Sequence, residues 1–564
     1  MPEKFSPDQI KLGNIFPEPD KSGLGDQGGP SGGKKNAVFE FNLKPLELEA
    51  YLEKYVIRQQ SAKEVLATKI CTHFNRLKLP ESANAVGNIK NNVLLIGPTG
   101  VGKTYLIKLI AKKLGVPFVK SDATKFSETG YVGGDVEQLV RDLVTEADGD
   151  ISLAEHGIIY IDEIDKIASS SNLNGLDVSR SGVQRNLLKL MEDTEVNLKV
   201  PHDLASQMEA AMKYQKTGKI EQKKVSTKNI LFVVSGAFNE LDKIVAKRLN
   251  RSLVGFIGNR SQSRMMTDED LLKQVSTADL VEYGFEPEFV GRLPVTARLD
   301  SLSADDLFQL LKMPECELIL SKKRDFLAYG IHLFFEEEVL RLVAEEAVTL
   351  NTGARGLVSV IEKKLLPFEK HLPSTQIKQL FFTVDLYKNP LQELEKLLAE
   401  PDPQEKQLVY HELVEQEARN LHDEAAEFVK TLTADQGLAE FPFSETGLDL
   451  IARIRFDSER SFSDICHQLF DLKKKIERET DRFNFQSPLM IEFDREAQDL
   501  ICRISLEENK RIEDVCHEIL KDYPYALKLL SPDKISKITL SGEAVKDPET
   551  YLNKLVVNKL KSST

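Results

Sequence analysis

One eight-residue stretch constrains this chain more than any other. GPTGVGKT, residues 97–104, follows the apolar run NVLLI (92–96) and opens the helix-period segment YLIKLIAKKLG. The glycines let consecutive backbone N–H groups point at a phosphate, and the N-terminus of the helix adds a favourable dipole. In that frame Pro98, Thr99, Gly100, Val101 and Gly102 wrap the phosphates of a nucleotide, with Tyr105 in the first helical turn. Lys103 reaches the β- and γ-phosphates, and the Thr104 hydroxyl ligates Mg²⁺.

Fifty-nine residues beyond Lys103, the apolar strand-like run Ile158–Ile161 ends in Asp162 and Glu163. Ends of buried strands are where parallel sheets place ligand groups. Asp162 is suited to hold Mg²⁺, and Glu163 to orient and activate the water that attacks the γ-phosphate. A third apolar run, ILFVV at 230–234, precedes Ser235. From Phe39 to about residue 300, strand-like runs alternate with helix-period stretches, which predicts an α/β fold with a parallel sheet flanked by helices. The pattern then turns helical.

The last 230 residues hold an internal repeat. FDREAQDLICRISLEENKRIEDVCHEIL from Phe493 aligns without gaps on FSETGLDLIARIRFDSERSFSDICHQLF from Phe443, at an offset of 50. The same frame fits FEEEVLRLVAEEAVTLNTGARGLVSVIE from Phe335, at an offset of 158 from the third copy. That offset continues through Ile377 and Ile535, Pro390 and Pro548, and Leu394 and Leu552, so copies one and three are expected to be complete duplicates. The middle copy lacks a closing strand. Residues 404–432 read as a charged, solvated connecting helix with a thin apolar stripe. Cys466-His467 and Cys516-His517 recur at one repeat position, but adjacent residues point to different sides of a helix, so core packing is expected there and not a metal site.

Composition bounds the rest. Length predicts three or four domains, and KSGLGDQGGPSGG at 21–33, with six glycines, predicts a flexible leader. Five scattered cysteines without a CxxC pair support neither a disulfide framework nor a zinc ribbon. A formal charge of −14 disfavours nucleic acid as a partner. No apolar run is long enough to span a bilayer, and MPEKFSPDQI has no signal-peptide core, so a cytoplasmic protein without membrane attachment is expected.

On these motifs and their order, the segment from about Leu46 to Asp385 resembles the ClpX branch of AAA+ protein unfoldases, with HslU as a cousin. The resemblance implies an ATP-hydrolysing homo-hexamer that unfolds and translocates tagged or unfolded proteins, as the ATPase subunit of a ClpP-type protease. The alternative is a peptidase-independent remodelling chaperone whose C-terminal extension binds partners. It further implies that Val56 and Ile57 hold adenine, with Arg58 where the family has glycine. Tyr131 and Val132, in the GYVG pore loop at 130–133, grip substrate. Arg292 is inserted into a neighbour's ATP site, Arg355 contacts phosphate from the small domain, Ser235 is the first sensor of the γ-phosphate, and Val254, Gly255 and Phe256 dock on the peptidase. A counterpart of the N-terminal zinc domain is not expected, and residues 199–228, in place of the second pore loop, are expected to be partly helical. The expected domains are a leader at 1–38, a large ATPase domain at 39–302, a small lid at 303–385, a helical connector at 386–440, and lid-like repeats at 441–486 and 487–564. In those repeats Ser463 and Glu513 take the place of Arg355, and Ser461 and Arg511 the place of Gly353, so neither should touch ATP.

Overall fold

The computed structural model describes residues 42–79, 90–126, 135–168, 178–198, 223–254, 267–399, 404–436, 442–486, 490–524 and 537–561. The chain divides into two compact units, one of Gly32–Leu310 and Arg341–Lys363, the other of Leu311–Leu340 and Lys364–Thr564.

The first unit is built on five parallel strands: β1 (Val93–Ile96), β2 (Phe118–Asp122), β3 (Ile158–Asp162), β6 (Leu231–Gly236) and β7 (Val295–Arg298), in the order β2-β3-β6-β1-β7. Between them in sequence, β4 (Glu195–Asn197) and β5 (Lys224–Ser226) form a separate antiparallel pair. The three expected strands are therefore β1, β3 and β6. Their residues are apolar on both sides because both faces are covered. Alternation along each strand sends Leu94, Ile96, Ile159, Ile161, Phe232 and Val234 into one core. The residues between them, Val93, Leu95, Ile158, Tyr160, Leu231 and Val233, enter another. Since all strands run the same way, their carboxyl ends share one edge. Register there sets Leu95 beside Ser235 and Ile161 beside Val234.

In the second unit, β8 (His332–Phe335) pairs in parallel with β9 (Gln379–Phe382), and β10 (Met490–Phe493) with β11 (Lys537–Leu540). Phe335 stands opposite Phe382, and Phe493 opposite Leu540, the same pairing displaced by 158 residues. Between 442 and 486 the described residues contain no strand. A finer signature marks all three copies. Asn351, Glu459 and Asn509 hold the same repeat position, and each is left-handed, with φ of 52°, 49° and 51°. Such a residue ends a helix and turns the chain.

The two extra copies share one core. Helix Glu445–Ser458 packs on its counterpart Arg495–Glu507, and helix Phe462–Gln486 on Ile512–Leu520. Cys466 and Cys516 sit in that core, while exposed His467 bonds the Ser463 carbonyl through Nδ1 at 2.6 Å. One expectation is corrected here. The connector is the helix Gln404–Gln436, but Leu421, Ala425 and Val429, spaced by four, are buried in the same core. Its thin stripe is a packing face, so the helix is not merely solvated. Arg455, only 3% exposed, binds the second copy to the segment before helix Glu317–Leu327: it donates to the Pro314 carbonyl at 2.7 Å, and Glu315 accepts the Phe462 N–H at 2.8 Å. Burial raises the Glu315 carboxyl above its ordinary range.

Candidate functional site

The site lies at the carboxyl edge of β1, β3 and β6. Gly97 joins β1 to β6, its N–H donating to the Gly236 carbonyl at 3.3 Å. Gly100 (φ 79°) and Gly102 (φ 94°) take the left-handed turns that carry the loop into helix Lys103–Leu114. Val101 is buried and Tyr105 exposed, while Pro98 and Thr99 sit on the outer rim of the loop.

Lys103 folds back over the loop, donating to the carbonyls of Gly97 (2.6 Å) and Pro98 (2.8 Å). Burial lowers its pKa, and the nearby Asp162 and Asp165 carboxylates work against that shift. An ammonium so placed is already at the mouth of the phosphate cradle.

Asp162 is the hub. Its Oδ1 accepts Ser235 Oγ at 2.6 Å, and its Oδ2 accepts Thr104 Oγ1 at 3.4 Å. Lys120, from the middle of β2, approaches Oδ2 to 3.6 Å. Tyr160, buried one residue earlier than Ile161, lies beneath this group: its hydroxyl shares a 2.6 Å hydrogen bond with Ser235 Oγ and accepts from Thr104 at 3.2 Å. Burial pushes its pKa up to about 12, so the phenol stays protonated. Thr104, Asp162 and Ser235 are thus fixed relative to one another by a buried phenol. Glu163 follows in a left-handed conformation (φ 56°), its side chain exposed and its N–H donating to Asp162 Oδ1 at 3.1 Å.

Arg355 stands in the first turn of helix Ala354–His371. The turn before it docks on the phosphate loop, where Ala354 N–H donates to the Gly100 carbonyl at 3.0 Å. A Cβ on Gly353 would lie 2.8 Å from that same carbonyl. Val56 is buried in the cluster that holds Val101 and Leu299, and Ile57 is half-buried beside it. Arg292 is placed apart: it ends helix Pro287–Gly291 and pairs with Glu192 at 2.6 Å. Tyr131, Val132, Gly255 and Phe256 lie outside the described residues, as does the side chain of Val254 at the end of helix Leu241–Val254. So do residues 199–222. Of the remaining 199–228 segment, Lys224–Ser226 is a strand, not helix.

Three contributors were not foreseen from the sequence. Tyr160 reads as one more apolar residue of IIYI, and only its hydroxyl in a strand buried on both faces hints at a partner. Asp165, 8% exposed, accepts the Phe238 N–H and thereby ties the segment after β3 to the one after β6. Lys120 carries no local signal.

Comparison with known proteins gives the same picture. The AAA domain (Cdc48 subfamily) matches residues 88–296. The chain is 41% identical over 351 residues to the ATP-dependent Clp protease ATP-binding subunit ClpX of Borrelia duttonii, covering 60% of this chain and 77% of that one. It is 41% identical over 332 residues to the protein of that name from Treponema denticola, covering 58% and 77%.

Proposed function

The chain belongs to the ClpX family of AAA+ ATPases, and we propose that it works as the ATP-driven motor of a ClpP-type protease, pulling tagged or unfolded proteins through a homo-hexameric ring. The observation that supports this best is the group Thr104–Asp162–Ser235–Tyr160 set against the phosphate loop, with the Arg355 turn docked on Gly100. Thr104 and Asp162 offer two hard oxygen donors side by side, which suits Mg²⁺. Bound Mg²⁺ supplies neutralisation of the charge spread over the β- and γ-phosphates. Around it the protein's own groups act. Lys103 moves off the two carbonyls onto phosphate, Glu163 accepts a proton from the attacking water, and Ser235 reports the γ-phosphate.

Arg292 acts in trans in this reading. Its Glu192 partner, half exposed, is easily exchanged for a neighbour's phosphate, and such a finger contributes roughly 10³ to 10⁵ in rate. Val56 and Ile57 hold adenine, Tyr131 and Val132 grip the substrate, and Val254, Gly255 and Phe256 dock on the peptidase.

A second reading makes the chain a peptidase-independent remodeller. It is favoured by the separate core of the C-terminal extension and by Phe485, 95% exposed at the end of helix Phe462–Gln486.

ATPase rate and degradation of a tagged, folded fluorescent protein are measured with and without ClpP, for wild type, Phe256→Ala and Glu163→Gln. The motor reading expects coupling in wild type, loss of coupling but not of ATP turnover in Phe256→Ala, and loss of turnover in Glu163→Gln. If ClpP changes nothing for wild type, the second reading takes over. Unchanged turnover in Glu163→Gln overturns the site assignment.

A further inference from the structure

The backbone is left-handed at two consecutive residues that are not glycine, Arg58 (φ 59°) and Gln59 (φ 62°), directly after Val56 and Ile57. L side chains rarely adopt that conformation, and a strained turn persists only where its surroundings hold it. Here both side chains hold one neighbouring segment. Arg58 Nη1 donates to the Ser301 carbonyl at 2.8 Å and to Asp306 Oδ2 at 3.2 Å. Gln59, 1% exposed, forms a closed pair with Asp300: its Nε2 donates to the Asp300 carbonyl at 2.8 Å and its Oε1 accepts the Asp300 N–H at 2.7 Å.

The receiving segment is itself fixed. It leaves β7 and enters helix Ala304–Lys312, where Asp306 Oδ2 also accepts Ser303 N–H (2.8 Å) and Ser303 Oγ (2.6 Å). From the other side, Lys63 Nζ donates to the Val56 carbonyl at 3.0 Å. The turn 56–59 is thus clamped at both ends, and its Arg58 clamp bridges 248 residues of sequence to Asp306 in the first turn of helix Ala304–Lys312.

We propose that Arg58 is a positioning residue for the nucleotide base, strapping the turn at 56–59 to the start of helix Ala304–Lys312, so that affinity for adenine nucleotides depends on the Arg58–Asp306 bond. The inference rests on the reading of Val56 and Ile57 as the adenine contacts. Recognition of a base by backbone groups requires the turn to be held within about 0.5 Å of its binding geometry. A glycine at 58 accepts the same φ without strain, but it also accepts many others and offers no bond to Ser301 or Asp306. The strap also makes the exit of the chain from the sheet sensitive to whether the base is in place.

The test uses the full chain and two ligands: fluorescently labelled ADP, which needs the base contact, and inorganic tripolyphosphate, which needs only the phosphate loop. Arg58→Gly, which removes the bonds to both Ser301 and Asp306, is expected to weaken labelled ADP about 5- to 10-fold, and Asp306→Asn, which keeps an acceptor for Ser303 and takes only the charge from the Arg58 bond, by less, about 2-fold. The double variant is expected to be no weaker than Arg58→Gly alone, because with Arg58 gone the Asp306 bond is already lost. Tripolyphosphate affinity stays unchanged, and Arg58→Lys falls between, since a single ammonium replaces a fork. Labelled ADP bound by Arg58→Gly as tightly as by wild type overturns the strap. So does an equal loss for tripolyphosphate, which marks general damage. If Ile57→Ser leaves labelled ADP unaffected, the adenine reading itself fails, whatever Arg58 does.

Discussion

Asp499 is the most exposed to test of the residues that join the two C-terminal repeats. Its side chain is 1% accessible and sits on helix Arg495–Glu507, yet its bonds reach the other repeat. Lys473, 8% accessible on helix Phe462–Gln486, approaches it to 2.6 Å, and Ser444, which caps helix Glu445–Ser458, donates its N–H (2.7 Å) and Oγ (2.8 Å). Gly447 is needed beneath it, because a Cβ there would lie 2.5 Å from Oδ2. Asp499→Ala strands the Lys473 charge. Removing one partner of a buried pair costs about 3–5 kcal/mol. The lower end applies, because Lys473 keeps the Pro442 carbonyl at 2.7 Å and the Phe443 ring at 4.3 Å. At about 1.4 kcal/mol per tenfold, amides of helices Glu445–Ser458 and Ile512–Leu520 should exchange hydrogen roughly 10²-fold faster or more, read peptide by peptide by mass spectrometry. ATP turnover serves as the control for the remainder of the chain. The decisive comparison is the double variant Asp499→Ala, Lys473→Met, which removes the stranded charge and should recover at least half of the lost protection. No recovery, or no loss in the single variant, refutes the account.

Three further outcomes follow from the first unit. Gly353→Ala forces a Cβ to within 2.8 Å of the Gly100 carbonyl at a φ of 58°, and it should lower ATP affinity about tenfold in equilibrium titration while leaving the sheet's thermal transition in place. Tyr160→Phe removes the hydroxyl beneath Thr104 and Ser235, and should cost about 1 kcal/mol in denaturant unfolding and slow turnover about tenfold in a steady-state ATPase assay, less than Glu163→Gln. His73 is buried beside the Asn229 carbonyl (3.0 Å), and burial lowers its pKa from 6.5 to about 4. Above pH 6.5 neither folded nor unfolded chain binds the proton. As the pH falls from 6.5 towards 4 only the unfolded chain does, so stability falls, by up to ~3 kcal/mol. His73→Leu should flatten that part of the urea midpoint against pH curve.

What the sequence made legible was local or periodic. β1, β3 and β6 stand out as continuous apolar runs because both their faces are buried, whereas β7, Val-Thr-Ala-Arg, alternates in burial and gives no such signal. The phosphate loop and the Asp162-Glu163 pair are spacings a single strand and turn can encode. By contrast, Lys120 with Asp162, Arg58 with Asp306 and Lys473 with Asp499 are pairs between elements far apart in the chain, and no periodicity announces them. The stripe Leu421, Ala425, Val429 was visible, but flanking charge disguised a packing face as a solvated one.

The repeats show how a fold and a site separate. All three copies keep the left-handed residue that ends the first helix, at Asn351, Glu459 and Asn509, because each must turn its chain there. Two positions later only the first copy is left-handed, at Gly353, which must lie against Gly100. In the third copy that position is Arg511, with φ −71°, pairing with Asp514 at 3.0 Å. In the second it is Ser461, whose Oγ accepts the Asp464 N–H at 3.0 Å. Ser461 thereby caps the start of the next helix, the common use of such a position when no phosphate loop has to be approached, while Arg511 makes only an exposed ion pair with that helix's first turn. In the proposed function the glycine and Arg355 are a matched pair, the glycine allowing the approach and the arginine using it, and the two copies without them retain the packing faces alone. Restoring only an arginine at Ser463 or Glu513 should consequently confer no nucleotide binding on either repeat.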